Sequence, residues 1–356
     1  MTLLITGLAL WWAVHLTPAF TPALKTSMVA RLGQSGWRGL FSLLTVAGIV
    51  LMVLRGAASG PTAFLHNVVE GVSLGGVYAL IALGYTMVYG VLRFINFAHS
   101  DVFMVGAFAG YYLGNALPQG TLGGGLVALC GAMLACAALG VLIEKLAYRP
   151  LRGRSTLTVL ITAIGVSLLL QNLGQRVFGA NPRSFPQLFP RHDFQVDGLV
   201  ISSAQLAVFA VTIVLLFALR YVVMNTRIGT AMRALSFNPV AASLVGINND
   251  FVISFTFALG SALAGAGGIL YALNYPSIDP LMGTLPGLKA FVAAVLGGIG
   301  NIPGAAAGGL LLGLVETVVV ALGGSTYRDA VAFGVLILIL LLRPGGLLGR
   351  LQTEKV

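Results

Sequence analysis

The chain has 356 residues, of which 58% are hydrophobic and only 8% charged, with a formal net charge of +10. Soluble domains carry about 25% charged residues, so the composition specifies a polytopic membrane protein. The positive charge falls in loops between apolar runs, as the positive-inside rule requires, and this excludes a nucleic-acid-binding surface.

A span needs about 20 apolar residues. Eleven runs qualify or nearly do: Leu3–Phe20, Gly39–Ala57, Leu65–Leu92, Val102–Leu117, Leu122–Leu146, Leu157–Gln175, Val200–Leu219, Phe251–Tyr271, Leu285–Gly300, Pro303–Leu322 and Ala330–Leu342. The expected class is all-α, with two spans in an N-terminal hairpin (residues 1–60) and about nine in a core (61–350), followed by a tail (351–356). Placing Lys145, Arg149, Arg152 and Arg154 in the cytoplasm puts Lys25, Arg31, Arg38, Arg93, Arg220, Arg227, Arg233, Arg343, Arg350 and Lys355 there too. That makes 14 of the 20 basic residues cytoplasmic. The N-terminus is then outside and the C-terminus inside. Leu285–Gly300 is short and Gly-rich enough to dip and return, but the charge pattern favours crossing.

The N-terminus lacks a basic region before its apolar run, so no cleaved signal peptide is expected. Cys130 and Cys136 share one run without metal or redox spacing and read as packing residues. Four small-xxx-small pairs, Gly71/Gly75, Gly106/Gly110, Gly304/Gly308 and Gly309/Gly313, predict close helix approach. The halves share a Gly-rich texture, Gly71–Val102 against Gly287–Leu314, but no alignable residues.

Between Leu92 and Val102 lies a short polar break, RFINFAHSD. Asn96, His99 and Asp101 are candidates to line a path through the membrane, because ionisable groups at depth face cavities or partners. The alternative is a cytoplasmic turn with Ser100 or Asp101 as N-cap of the next helix. Glu316 is a further candidate to line the path; it lies well inside its run and needs a partner. Glu70 is near a run end and reads as solvated, and Lys289 is expected to snorkel to the interface. Arg176–Gly198 reads as an ordered loop in which Asp193 and Asp197 partly balance Arg183 and Arg191.

Asn225–Asp250 is the longest ordered-looking polar break, and its Arg233 is cytoplasmic in this orientation. Within it, Asn238 is a suitable N-cap, Pro239 a suitable first residue, and Gly246 the left-handed residue after the last turn. A helix so short is marginal alone. Val240, Leu244 and Val245 are free to meet a partner, or the helix lies on the lipid surface. The chain has no G-x4-G-K-[ST], HExxH or GxSxG sequence, so it has no P-loop route to ATP hydrolysis.

EGVSLGGVYALIALGYTMVYGVLRFINFAHSDVFMVGAF (Glu70–Phe108) resembles the opening of LivH-type permeases of branched-chain amino acid ABC importers. LGGIGNIPGAAAGGLLLGLVE (Leu296–Glu316), LLLRPGGLLGR (Leu340–Arg350) and TRIGTAMRA with GIN (Thr226–Ala234, Gly246–Asn248) resemble later family blocks. The resemblance implies an ABC importer permease fold and a permease subunit that is not itself an enzyme. Its implied partners are a second, LivM-like permease, two cytoplasmic ATPases that bind the ATP, and an extracytoplasmic solute-binding protein. It also implies that Arg233, Asn238, Pro239, Val240, Leu244 and Gly246 couple to an ATPase. Family members have Gly and Glu after INFAH where this chain has Ser100 and Asp101, so a tight backbone contact there is in question. Urea and amides are alternative cargo, carried by related permeases.

The stretch Trp11–Val53 resembles the start of NnrU-type membrane proteins. By that resemblance His15 is a candidate haem ligand, and a haem-dependent oxidoreductase or isomerase is the alternative function. A lone histidine at a span end is otherwise interfacial, and the expected chain carries no cofactor or metal of its own.

Overall fold

The computed structural model describes residues 60–196, 199–342 and 345–349. The N-terminal hairpin, its His15, the basic residues Lys25, Arg31, Arg38, Arg343, Arg350 and Lys355, and the tail lie outside the described residues. The helices are α1 (Pro61–Leu92), α2 (His99–Ala116), α3 (Leu122–Ile143), α4 (Thr156–Phe178), α5 (Ser203–Asn225), α6 (Arg227–Phe237), α7 (Pro239–Leu244), α8 (Asn249–Asn274), α9 (Thr284–Gly297), α10 (Ile302–Ala321) and α11 (Arg328–Leu342). A π turn, Glu144–Tyr148, extends α3. Two small sheets pair β1 (Arg183–Ser184) with β4 (Ser277–Ile278) and β2 (Asp193–Val196) with β3 (Leu199–Ser202), both antiparallel.

The nine core spans expected from hydropathy correspond to α1–α5 and α8–α11. Six of these nine are long and apolar enough to cross a membrane by themselves; α2, α9 and α11 are shorter or less apolar. Polarity explains the layering. α1 and α8, rich in small residues, form the buried centre, whereas α4 and α5 present Leu168, Leu173, Ile213 and Phe217 outward. Such an exposed apolar rim suits lipid. Of the two cysteines, Cys136 packs inside but Cys130 faces outward, because its helix turns that side to the rim.

All four small-residue pairs lie at helix contacts. Gly71 and Gly75 meet α10, and Gly309 and Gly313 meet α1; Gly106 and Gly110 meet α8, and Gly304 and Gly308 meet α9. An added Cβ at Gly75 would come within 2.7 Å of the Leu310 Cα. Only glycine permits that approach.

These contacts reveal a repeat. α1 runs antiparallel to α10, with Gly71 at Thr317 and Gly309 at Ala79; α8 runs antiparallel to α3, with Gly140 at Phe257 and Gly265 at Ala132. α2 lies parallel to α8, Gly106 at Gly265 and Gly110 at Ile269. α9 lies parallel to α1, Phe291 at Tyr85 and Gly300 at Gly90. Thus α1–α2–α3 and α8–α9–α10 make matching contacts. The two sets run in opposite directions, since Ser73, Ile81 and Gly84 of α1 meet Asn274, Gly267 and Gly260 of α8. The partner of Gly71–Val102 is therefore α8 with the start of α9, not Gly287–Leu314.

The long helix of each set is followed by a broken return. After α1 the chain turns back at Arg93 and α2 starts inside the bundle. After α8 the chain descends through β4 and Pro280, and α9 starts with Gly283 and Gly287 against Ser100. α9 has 14 residues, about 21 Å at 1.5 Å per residue, less than a bilayer. The traverse from Asn274 to Gly300 is completed by the extended segment before it.

Candidate functional site

The α1–α2 break is built by a left-handed residue. Arg93, at φ 56°, ends α1 and donates its N–H to the Tyr89 carbonyl at 2.7 Å. Its guanidinium donates to the Ser236 carbonyl at 3.3 Å, tying the end of α1 to α6. The chain then re-enters the protein. Asn96 is buried, and its Oδ1 accepts from the Tyr148 hydroxyl at 2.5 Å. His99 opens α2, fully buried, with its ring 4.7 Å from that of Tyr85 and pressed on Gly84. Its Nε2 has no partner among the described residues. Asp101 accepts from Gln171 Nε2 at 3.1 Å through Oδ1, and its Oδ2 is likewise unpartnered.

Neither Ser100 nor Asp101 is the N-cap. Ala98 holds that position and has no polar side chain to cap with, while the Ser100 hydroxyl, inside the first turn, donates to the Phe97 carbonyl at 2.9 Å. Asp101 sits in the first turn, where its charge favours the helix dipole. The doubt about a tight contact at Ser100 is resolved from the opposite side: Gly283 and Gly287 leave room for its backbone and Cβ.

Glu316 is not beside this break. It lies on α10 in a separate network, fully buried. Its Oε2 accepts from Tyr78 Oη at 3.1 Å, Lys289 Nζ at 3.1 Å and Arg328 Nε at 2.6 Å. Lys289 also meets Asp329 at 2.6 Å. Lys289 does not snorkel, being 5% exposed, because the buried carboxylate of Glu316 and the half-exposed carboxylate of Asp329 satisfy its ammonium. A second network was not foreseen. Glu144, fully buried at the end of α3, meets Arg149 at 3.5 Å, Arg152, and the Ser254 hydroxyl at 2.6 Å; both arginines also reach Asp250 at the start of α8. The only sequence signal was a carboxylate at a run end followed by arginines.

On the loop after α4, Arg183 pairs with no acid among the described residues, which do not include Asp197. It lies over the rings of Tyr111 and Tyr112, 5.6 and 5.9 Å from their centroids, where a guanidinium meets the negative π face.

At the opposite end of the bundle, α6 and α7 project beside Arg93. Asn238 Oδ1 accepts from the Val240 and Ala241 amides, each at 3.0 Å, Pro239 is the first residue, and Gly246 has φ 86°. Ala242 is the one buried residue of α7, packed inward, whereas Val240 and Leu244 are 68% and 81% exposed. Phe237, at 88% exposed, extends this apolar surface and was missed because it lies ahead of the cap. The preceding helix α6 was missed as well; its signal is Thr226, whose hydroxyl accepts from the Gly229 amide at 3.1 Å. Arg233 is on α6, its guanidinium bonded to Thr230 Oγ1 at 3.2 Å.

An apolar-rimmed bundle with two helices starting at depth, and a capped apolar helix held outside it, defines a multi-pass membrane permease. The comparisons carry this further. The family model described as branched-chain amino acid transport system / permease component matches residues 67–340, and the chain belongs to that family. The BraD permease protein of the high-affinity branched-chain amino acid transport system of Pseudomonas aeruginosa is 42% identical over 301 residues, covering 82% of this chain and 98% of the relative. The corresponding LivH protein of Escherichia coli is 42% identical over 304 residues with the same coverage. The ribose import permease protein RbsC of Escherichia coli is 34% identical over 128 residues, 34% of this chain and 40% of its own. A second model, described as NnrU protein, matches residues 3–90. No solved structure matches the chain.

Proposed function

We propose that the chain is the transmembrane permease subunit of an ATP-driven importer for branched-chain amino acids, working in a bacterial inner membrane. The observation that carries this is the similarity to BraD and LivH across nearly their whole length. The assembly includes a second, LivM-like permease, two cytoplasmic ATPases and an extracytoplasmic binding protein. α7 faces the cytoplasm and inserts Val240 and Leu244, with Phe237 from the end of α6, into an ATPase groove. Its need for a partner supports this: these side chains are among the most exposed apolar groups of the molecule, and a six-residue helix is marginal alone. Arg233, Asn238, Pro239 and Gly246 hold that helix in place. Asn96, His99 and Asp101 line the path at the α1–α2 break, and Glu316, on α10 away from that break, is a further lining group. Nucleotide-driven closure of the ATPases shifts the bundle between two states of access.

The test is to reconstitute the importer in liposomes with leucine-loaded binding protein. The wild type is expected to take up leucine with stimulated ATP turnover. Val240→Asp with Leu244→Asp is expected to abolish both while leaving the purified bundle monodisperse. Normal uptake by that variant would overturn the docking role of α7. Stimulation by urea or an amide, and not by leucine, would overturn the cargo.

A further inference from the structure

Two cavities lie side by side at the end of the bundle where α1 begins and α8 ends. One, of about 250 Å³, is polar, and is walled by Glu70, Ser73, Gln205 and Asn274. The other, of about 410 Å³, is walled on one side by Phe185, Leu188 and Phe189 from the loop after α4, with Arg191 of that loop also in its wall; His66 likewise lines the first. Both are bounded by Ser202, Ala204, Leu273 and Asn274, so they are one chamber with a polar and an apolar compartment.

The polar groups are sorted by what they have left to offer. Asn274 spends its Nδ2 on Ser73 Oγ at 3.0 Å, which leaves Oδ1 as an acceptor. Gln205 spends Oε1 on the Ser202 amide at 3.1 Å, which leaves its NH₂ as a donor. Glu70 makes no ion pair among the described residues and is half-buried, not freely solvated. Among the described residues it is the only carboxylate in either wall. A carboxylate and an amide carbonyl are suited to an ammonium; an amide NH₂ is suited to a carboxylate. A compartment lined by phenylalanine and leucine shares Ser202, Ala204, Leu273 and Asn274 with theirs.

We propose that this chamber is a binding site for a zwitterionic α-amino acid with an apolar side chain. Its ammonium meets Glu70 and Asn274 Oδ1, its carboxylate meets Gln205 Nε2, and its side chain enters the compartment of Phe185, Leu188 and Phe189. On the importer reading, on which this rests, the chamber receives the solute before the path through α2 and α9 opens. The shape selects for apolar amino acids independently of any binding protein.

The test uses the whole importer in liposomes with Glu70→Gln, Glu70→Asp and Leu188→Trp. Losing one charge-assisted contact corresponds to about a tenfold fall in leucine uptake at sub-saturating solute, which Glu70→Asp is expected to restore in part. Leu188→Trp narrows the apolar compartment and is expected to depress leucine uptake more than alanine uptake. Monodisperse recovery of all three variants separates a loss of uptake from a failure to fold. Uptake by Glu70→Gln within twofold of wild type, or equal losses of leucine and alanine in Leu188→Trp, would overturn the chamber. A wild-type importer that moves no amino acid would instead overturn the underlying reading.

Discussion

A single oxygen of Glu316 accepts from three donors, and its other oxygen has none among the described residues. Such a group is stable only while its cations stay. Removing one partner of a buried pair costs about 3–5 kcal/mol, since the charge left behind is uncompensated. Glu316→Gln leaves Arg328 unneutralised beside Lys289 and is expected to lower the melting temperature of the purified permease. Adding Arg328→Met to Glu316→Gln removes the stranded cation, whereas Lys289 keeps Asp329, and is expected to recover part of the loss. Equal melting of Glu316→Gln and wild type would mean the network contributes no stability. The sequence showed that Glu316 needed a partner but not which one, because Lys289 and Arg328 come from two other helices. The same limit applied to Asn96, whose partner Tyr148 is 52 positions away.

α7 shows what was legible one scale up. Its cap, proline and glycine are local chemistry, and local chemistry can be read without knowing the fold. α6 escaped because its apolar residues Met232 and Leu235 face the bundle, and their burial depends on tertiary packing. Asn238→Ala removes an acceptor shared by two amides, a change worth about 1 kcal/mol at an N-cap. Faster hydrogen exchange at Val240 and Ala241, with α8 unaffected, is the expected outcome. Unchanged exchange would show that Ala242 packing, not the cap, holds the helix. The helix α2 began three residues before its expected start at Val102 because the polar residues His99–Asp101 fold into its buried first turn. Hydropathy alone cannot separate a helical polar residue at depth from a loop.

Across the whole molecule, hydropathy gave the number of core helices, while the repeat stayed hidden. Its two sets share contacts, not residues, and no residue-by-residue comparison along the chain could expose it. Glycine carries those contacts, and this separates two kinds of substitution. Gly309→Leu would drive a side chain into the backbone of α1 at Ala79, and Gly265→Leu would do the same to α3 at Ala132. Both are expected to abolish recovery of monodisperse protein. Gly165→Leu, on α4 with nothing within 4 Å, is expected to leave recovery unchanged. Loss with Gly165→Leu, or normal recovery with both of the others, would contradict the packing described above.

Two oppositely directed copies of one motif carry a further consequence. If the first adopts one conformation and the second another, exchanging the two produces a mirror arrangement in which whatever was accessible from one side of the membrane becomes accessible from the other. On the proposed importer reading, opening and closing are then a single asymmetry, held by one half or by the other and traded across the contact of Ser100 with Gly287.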